Sequence, residues 1–244
     1  ILSDLQKKKF KKGSIEQKLS DFYKQSLNVD ARNKAGIAPV KSMLAEIEAA
    51  KTVNDLRAIQ IKYADQGYGI QFGSYFSADE KDVKNNIFSI TQSGLTLGQK
   101  DYYVNNDSAT VAIREAYKKH IARLFKLYGF DEAAAQAKSA DIFRQETLVA
   151  LISKSMTELR DPQANYNKMT LAEFKSDYPN IPLEQLANSE GIKSEYIQSM
   201  VVGQPAFMTG LDKLMSLQTA EKAYTRFNDV TNTWEGTDKI GVYM

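Results

Sequence analysis

One histidine, His120, stands among cations in the run Lys118-Lys119-His120-Ile121-Ala122-Arg123. A helical zinc peptidase site needs two histidines one turn apart, so that both imidazoles reach one metal, with a glutamate between them as general base. A lone imidazole beside positive side chains meets neither condition and reads as a surface or boundary histidine. Cysteine is absent, which removes thiolate nucleophiles, disulfides and cysteine-based zinc sites together. A serine nucleophile needs a base within reach. No Gly-x-Ser-x-Gly elbow occurs, and Ser153 and Ser155 fall within an expected helix. The third glycine of Gly67-Tyr68-Gly69-Ile70-Gln71-Phe72-Gly73 comes one position late for a dinucleotide fingerprint, and no strand precedes it. No residue is therefore assigned as catalytic, and none as a metal ligand.

What remains is a polar loop, Glu158-Leu159-Arg160-Asp161-Pro162-Gln163-Ala164-Asn165-Tyr166-Asn167-Lys168-Met169-Thr170-Leu171, set between two expected helices. Arg160 offers a planar fork to a carboxylate or to carbonyls at a helix end. Asp161 suits the amides of a turn. Arg160, Asn165 and Asn167 are the candidate substrate-binding residues. Two roles stay open for the loop: a polar latch that fixes the angle between helices, with Arg160 as its anchor, or direct contact with substrate. The strongest local charge bias is Lys7, Lys8, Lys9, Lys11 and Lys12. It suits a phosphate or anionic-lipid contact, or simply a solvated terminus. Asn106-Asp107-Ser108 matches an N-glycosylation acceptor, a pattern frequent by chance.

The elements that must position this loop are mostly helical. The chain has 244 residues, 32 basic and 30 acidic, so near charge balance argues against a nucleic-acid surface. No apolar run reaches membrane-spanning length. Ser14 to Gln17 reads as a capping box opening a helix with Ile15, Leu19, Phe22 and Tyr23 on one stripe. Thr52 opens another, stopped by Gly67. Two apolar runs around Ala78-Asp79-Glu80-Lys81-Asp82 predict a β-hairpin with a long polar loop. A helix carrying Ile113, Tyr117, Ile121, Leu124 and Tyr128 ends at Gly129. The next begins at Asp131 and runs to about Leu159. Thr170 to Glu173 is a further capping box, and shorter helices are expected at 182–189, 194–200 and 205–216. Tyr224, Phe227 and Val230 suit one helix, and Glu235-Gly236-Thr237-Asp238 a loop. The expected class is mainly α, a multi-helix lobe with one small β-hairpin.

The loop is also where a resemblance emerges. Glu158-Leu159-Arg160-Asp161-Pro162 with Tyr166-Asn167-Lys168-Met169-Thr170-Leu171 is similar to the amino-terminal region of the neprilysin and endothelin-converting-enzyme family of zinc metallopeptidases. Gln92-Ser93-Gly94-Leu95-Thr96-Leu97-Gly98-Gln99-Lys100-Asp101-Tyr102-Tyr103 resembles a second family segment, with Gly98 where the family usually has proline. Phe76-Ser77-Ala78-Asp79-Glu80-Lys81 resembles the family's aspartate-bearing hairpin. Lys12 to Tyr23 and Val201-Val202-Gly203-Gln204-Pro205-Ala206-Phe207 resemble its bacterial oligopeptidase members.

The matches run in family order over 1–216, which the resemblance assigns to an amino-terminal helical lobe; 217–244 stay unassigned. It implies a non-catalytic lobe that helps enclose a chamber admitting small peptides. The zinc and its His-Glu-x-x-His helix would belong to the carboxy-terminal domain of the same polypeptide, so no cofactor is assigned to this chain. The expected partners are that zinc domain and peptide substrates, with no nucleic acid. Export to a bacterial periplasm or surface anchoring is the compartment the family suggests. The alternative is a standalone helical peptide-binding module without catalysis.

Overall fold

The computed structural model describes residues 2–5, 7–68 and 71–219, with the backbone of 226–228 and 233–235. The chain divides into two compact units, Ile1–Ala49 and Ala50–Met244.

The first unit holds α1 (Leu2–Leu5), α2 (Ile15–Leu27), α3 (Val29–Ala35) and α4 (Lys41–Ala49). Ser14 caps α2 by accepting from the Gln17 amide. Gln17 reaches back to the amide of Gly13, one residue before the expected partner. Buried Ser20 donates its hydroxyl to the Leu5 carbonyl at 3.1 Å, which ties α2 to α1. The expected apolar stripe is not a buried face: Ile15, Leu19 and Phe22 are all exposed. The periodicity predicts neither α3 nor α4. Both are short; α3 is started locally by Asn28, whose side chain accepts from the Ala31 amide.

The second unit begins with α5 (Val53–Tyr63), opened by a complete capping box between Thr52 and Asp55. The strands β1 (Phe72–Asp79) and β2 (Asp82–Gln92) follow, then α6 (Asp101–Val104), α7 (Ser108–Tyr128) and α8 (Glu132–Ile152). After a long loop come β3 (Asn167–Thr170), α9 (Leu171–Asp177), α10 (Leu183–Ser189), β4 (Ser199–Val202) and α11 (Pro205–Thr219). A further pair, β5 (Arg226–Asn228) and β6 (Thr233–Glu235), is antiparallel. Phe227 therefore sits in a strand rather than the expected helix, and Glu235 in a strand rather than a loop. Tyr224, Val230 and Gly236-Thr237-Asp238 lie outside the described residues.

The class is mainly α, as expected, but the hairpin is half of a four-stranded sheet ordered β1-β2-β4-β3. β1 and β2 are antiparallel, β2 and β4 parallel, β4 and β3 antiparallel. The polar stretch expected as a long loop is mostly strand, because the hairpin tip is solvated and needs no apolar residues. The helix expected at 194–200 is only a 3-10 turn over Ser194–Ile197, and β4 takes over from Ser199. Val201 and Val202 are β-branched, and the free edge of β2 at Phe88–Ile90 supplies their partners. Strand alternation then gives the sheet two faces. One carries Phe88, Ile90, Met200 and Val202 into the core, where Phe174 of α9, Leu183 of α10 and Phe207 of α11 are also fully buried. Burial of each such phenylalanine contributes about 2–3 kcal/mol.

α7 and α8 pack as an antiparallel pair joined at Gly129, whose φ of 119° suits glycine alone. The expected α7 stripe is half right. Tyr117, Ile121 and Tyr128 are buried or half-buried, while Ile113 and Leu124, 40% and 52% exposed, form the solvent edge of the same stripe. α8 ends at Ile152, seven residues before the expected Leu159. The Ser153 hydroxyl bonds back to the Val149 carbonyl, and Gln92 captures the Lys154 main chain in both directions, at 2.8 and 2.9 Å. Gly210 lets α11 approach α8 closely: a Cβ there would lie 2.7 Å from Cγ2 of Ile152.

Below the first turn of α7, Glu146 of α8 accepts from Tyr103 at 2.6 Å, Tyr117 at 2.9 Å and Thr96 at 2.6 Å. The Tyr103 oxygen in turn accepts from the Leu97 amide. The segment from Gly94 to Tyr103 is thus pinned to α8 by its own tyrosine. Burial raises both tyrosines, Tyr117 to about 12 and Tyr103 further. Their contribution is complete below an ordinary tyrosine's value of about 10 and is lost as pH rises above it. Tyrosinate absorbance should therefore show these two phenols ionising only with alkaline unfolding. Titration of all thirteen tyrosines in the folded state near pH 10 would refute the network.

Candidate functional site

The second face of the sheet is polar. Its central cross-strand row is Tyr75, Ser89, Val201 and Lys168, one residue from each strand. The loop from Lys154 to Tyr166 crosses this face and leaves a cavity of about 330 Å³ between itself and the strands. Tyr75, Ser77, Ser89 and Thr91 line the cavity from the sheet, and Arg160, Asn165 and Tyr166 from the loop.

Two polar devices hold the loop there. The first centres on Gln204, which is 3% exposed. Gln204 closes β4 and its carbonyl starts α11, with Pro205 in the first turn where no amide is needed. Its Oε1 accepts from the Gln92 amide at 2.8 Å and the Thr91 hydroxyl at 3.0 Å. Its Nε2 donates to Oδ1 of Asn165 at 3.0 Å. The Asn165 amide then donates to the carbonyls of Asp161 at 2.6 Å and Leu159 at 3.1 Å. Asp161 accepts from the amides of Gln163 and Ala164, as its place in a turn predicts. One chain of hydrogen bonds thus runs from the sheet through two side-chain amides into the loop.

The second device centres on Asp79 at the hairpin tip, which is 2% exposed. It accepts from the Tyr166 hydroxyl at 2.7 Å, Lys168 Nζ at 2.9 Å and the Lys81 amide at 2.9 Å. The Lys81 ammonium also lies over the Tyr166 ring, 4.4 Å from its centre. The hydrogen bonds from Tyr166 and Lys168 hold the Asp79 carboxyl well below the usual carboxylate range. The same contacts raise Tyr166 and Lys168.

The three candidate residues are placed differently. Asn165 is the latch, with all of its amide engaged, including Oδ1, which also accepts from Lys154 Nζ at 3.1 Å. Asn167 donates to the Val202 carbonyl at 3.0 Å and lies outside the cavity lining. Arg160, the expected anchor of the latch, is exposed on the cavity rim, and its guanidinium makes no hydrogen bond or ion pair among the described residues. A short amide reaches the carbonyls of its own turn better than a long guanidinium does, so the latch falls to Asn165. Gln204 and Ser89 carry no role in the reading from sequence alone, and Asp79 enters it only as the aspartate of the family-like hairpin. The one local signal is a glutamine placed between a strand's last glycine and a helix-opening proline.

The family model described as peptidase family M13 matches residues 1–233. The chain belongs to peptidase family M13. This M13 chain is 35% identical over 111 residues to endothelin-converting enzyme 1 of Cavia porcellus, covering 45% of this chain and 15% of that protein. It is 22% identical over 233 residues to neprilysin-3 of Drosophila melanogaster, covering 89% of this chain and 30% of that protein. Among solved structures, the zinc metalloprotease Zmp1 of Mycobacterium tuberculosis matches with a TM-score of 0.77 and 26% identity, over 90% of this chain and 33% of that one. PepO from Lactobacillus rhamnosis shares the fold at a TM-score of 0.68 and 19% identity, over 87% of this chain and 34% of that one. The chain thus spans about a third or less of the length of these relatives.

M13 peptidases are zinc enzymes as a family. The donor set of this chain does not fit zinc: it has one histidine and no cysteine. Among the described residues no group of three His, Asp or Glu side chains could hold a metal ion. His120 is exposed on α7 beside Lys119. Among the described residues no helix is long and apolar enough to cross a membrane.

Proposed function

We propose that this M13 chain is the non-catalytic, chamber-forming lobe of a zinc metalloendopeptidase that cleaves small peptides. The observation that carries the reading is the match of 90% of this chain to one third of a zinc metalloprotease, in a region whose described residues supply no zinc donor set. Zinc, the general base and the scissile bond then fall to the rest of the polypeptide. The contribution of this lobe is shape, because a helical wall around the metal limits what reaches it.

The test compares the 244-residue chain alone with the same chain joined to the remainder of an M13 polypeptide. Alone, it is expected to bind no stoichiometric zinc and to hydrolyse no peptide. Joined, it should support chelator-sensitive cleavage of short peptides and leave a folded protein intact. One tight zinc per molecule of the lone chain, or chelator-sensitive hydrolysis by it, would overturn the assignment.

A further inference from the structure

The cavity under the 154–166 loop contains hydrogen-bonding capacity that the fold does not use. Arg160 stands on its rim with a guanidinium that has no partner among the described residues. Ser89 forms part of its floor. That residue is 5% exposed, alternation in β2 turns its side chain to this face, and its hydroxyl bonds to nothing among the described residues. A hydroxyl with no protein partner that opens onto a cavity is a free donor and acceptor for whatever fills it, which points to a ligand. Ser77 lies two residues from Tyr75 on the same face of β1 and lines the same cavity. A planar cation and two hydroxyl donors are the groups that bind a carboxylate, the guanidinium through a two-point fork. Glu80, also on the rim, disfavours a dianion such as phosphate. An acid there is compatible with a peptide, whose amide hydrogens it can accept.

We infer that this cavity is a binding site for a single carboxylate of a short peptide, its C-terminus or an acidic side chain, held by Arg160 with Ser89 and Ser77. The latch through Gln204 and the clasp through Asp79 position the loop so that Arg160 stays over the sheet. The inference takes only the class of ligand, a peptide, from the proposed function. The site itself stands on the cavity and does not depend on zinc.

The test is titration of the whole chain with three probes, followed by the amide signals of Ser89 and Val201 and by the side-chain Nε–H of Arg160. The probes are Ala-Ala-Leu-Ala with a free C-terminus, the same peptide as its C-terminal amide, and acetyl-Ala-Glu-Ala amide. Saturable shifts are expected with at least one carboxylate-bearing probe, and about tenfold weaker binding of the neutral amide. Which carboxylate probe binds identifies the source. Arg160→Gln should weaken binding about tenfold or more, and Arg160→Lys should restore only part of it because lysine lacks the fork. Ser89→Ala should weaken it severalfold. Equal binding of the neutral amide, indifference to Arg160→Gln, or equal displacement by inorganic phosphate would overturn the site. The Arg160 side chain is exposed and has no partner among the described residues, so its variants should keep the parental unfolding midpoint and the readout stays interpretable. A chain that binds the peptide but fails to support hydrolysis when joined to the rest of an M13 polypeptide would keep this site and remove the proposed function; the reverse outcome would do the opposite.

Discussion

Gln204→Leu is expected to lower the unfolding midpoint by about 6–12 °C, with the loop from Lys154 to Tyr166 becoming the first site of proteolytic cleavage. The side chain is nearly isosteric, so no large cavity forms and the loss is polar. Gln204 satisfies the half-buried amide of Gln92 and the hydroxyl of Thr91 while donating to Asn165. The Thr91 hydroxyl can turn elsewhere, but the Gln92 amide cannot. Asn165 Oδ1 keeps only its contact with Lys154. Each buried group left unsatisfied costs about 1–3 kcal/mol, so two give about 3 kcal/mol. For a domain of 150–250 residues that corresponds to the stated shift, at about 2–4 °C per kcal/mol. Asn165→Ala should cost less, because the carbonyls of Leu159 and Asp161 that it frees lie on an exposed turn and can bind water. The double variant should be less destabilised than the sum of the two, since both act through one hydrogen-bond chain. A Gln204→Leu midpoint within about 1 °C of the parent would mean that water replaces the amide and that the latch contributes nothing.

What sequence could reveal followed sequence distance. The caps at Ser14, Thr52, Asp131 and Thr170 are contacts between residues three apart, so residue type and spacing contain all the information. Gly129 ends α7 through its own backbone freedom, which is equally local. The end of α8 was not legible, because Gln92 imposes it from 62 residues away. Nor was β4, whose parallel partner Phe88–Ile90 lies more than a hundred positions earlier. Ile113 and Leu124 share the stripe of α7 but lie at its solvent edge, because an apolar residue on a long helix does not announce how wide the neighbour that covers it is. The loop with Arg160 and Asn165 stood out by composition, yet their roles were exchanged. Arg160 has the stronger chemistry and Asn165 the better reach to its own turn. Gln204 and Ser89 became functional candidates only when β2 and β4 were seen side by side.

Asp79→Asn should destabilise the second unit at neutral pH by several degrees, and the size of that difference should depend on pH. Asparagine keeps an acceptor for the Tyr166 hydroxyl but loses the charge that Lys168 faces at 2.9 Å. Asp79 has a folded-state pKa depressed below its ordinary value, chiefly by the hydrogen bonds from Tyr166 and Lys168. Its contribution is therefore present above the unfolded carboxyl's value of about 3.9 and is lost as pH falls through the folded value. The gap in midpoint between parent and Asp79→Asn should stay constant from neutral pH down to about 4 and close below it. Lys168 is shifted the other way, so its share is complete below about pH 10 and fades as pH rises through its raised value. The clasp and the proposed carboxylate site separate in these variants. Arg160→Gln should lose peptide affinity at constant stability. Asp79→Asn should lose stability and loop protection first, with affinity falling because the rim no longer holds Arg160 over Ser89. An Asp79→Asn chain with parental stability and an intact, protease-resistant loop at neutral pH would show that solvent screens the bridge to half-exposed Lys168. In that case the Gln204 latch alone would fix the loop.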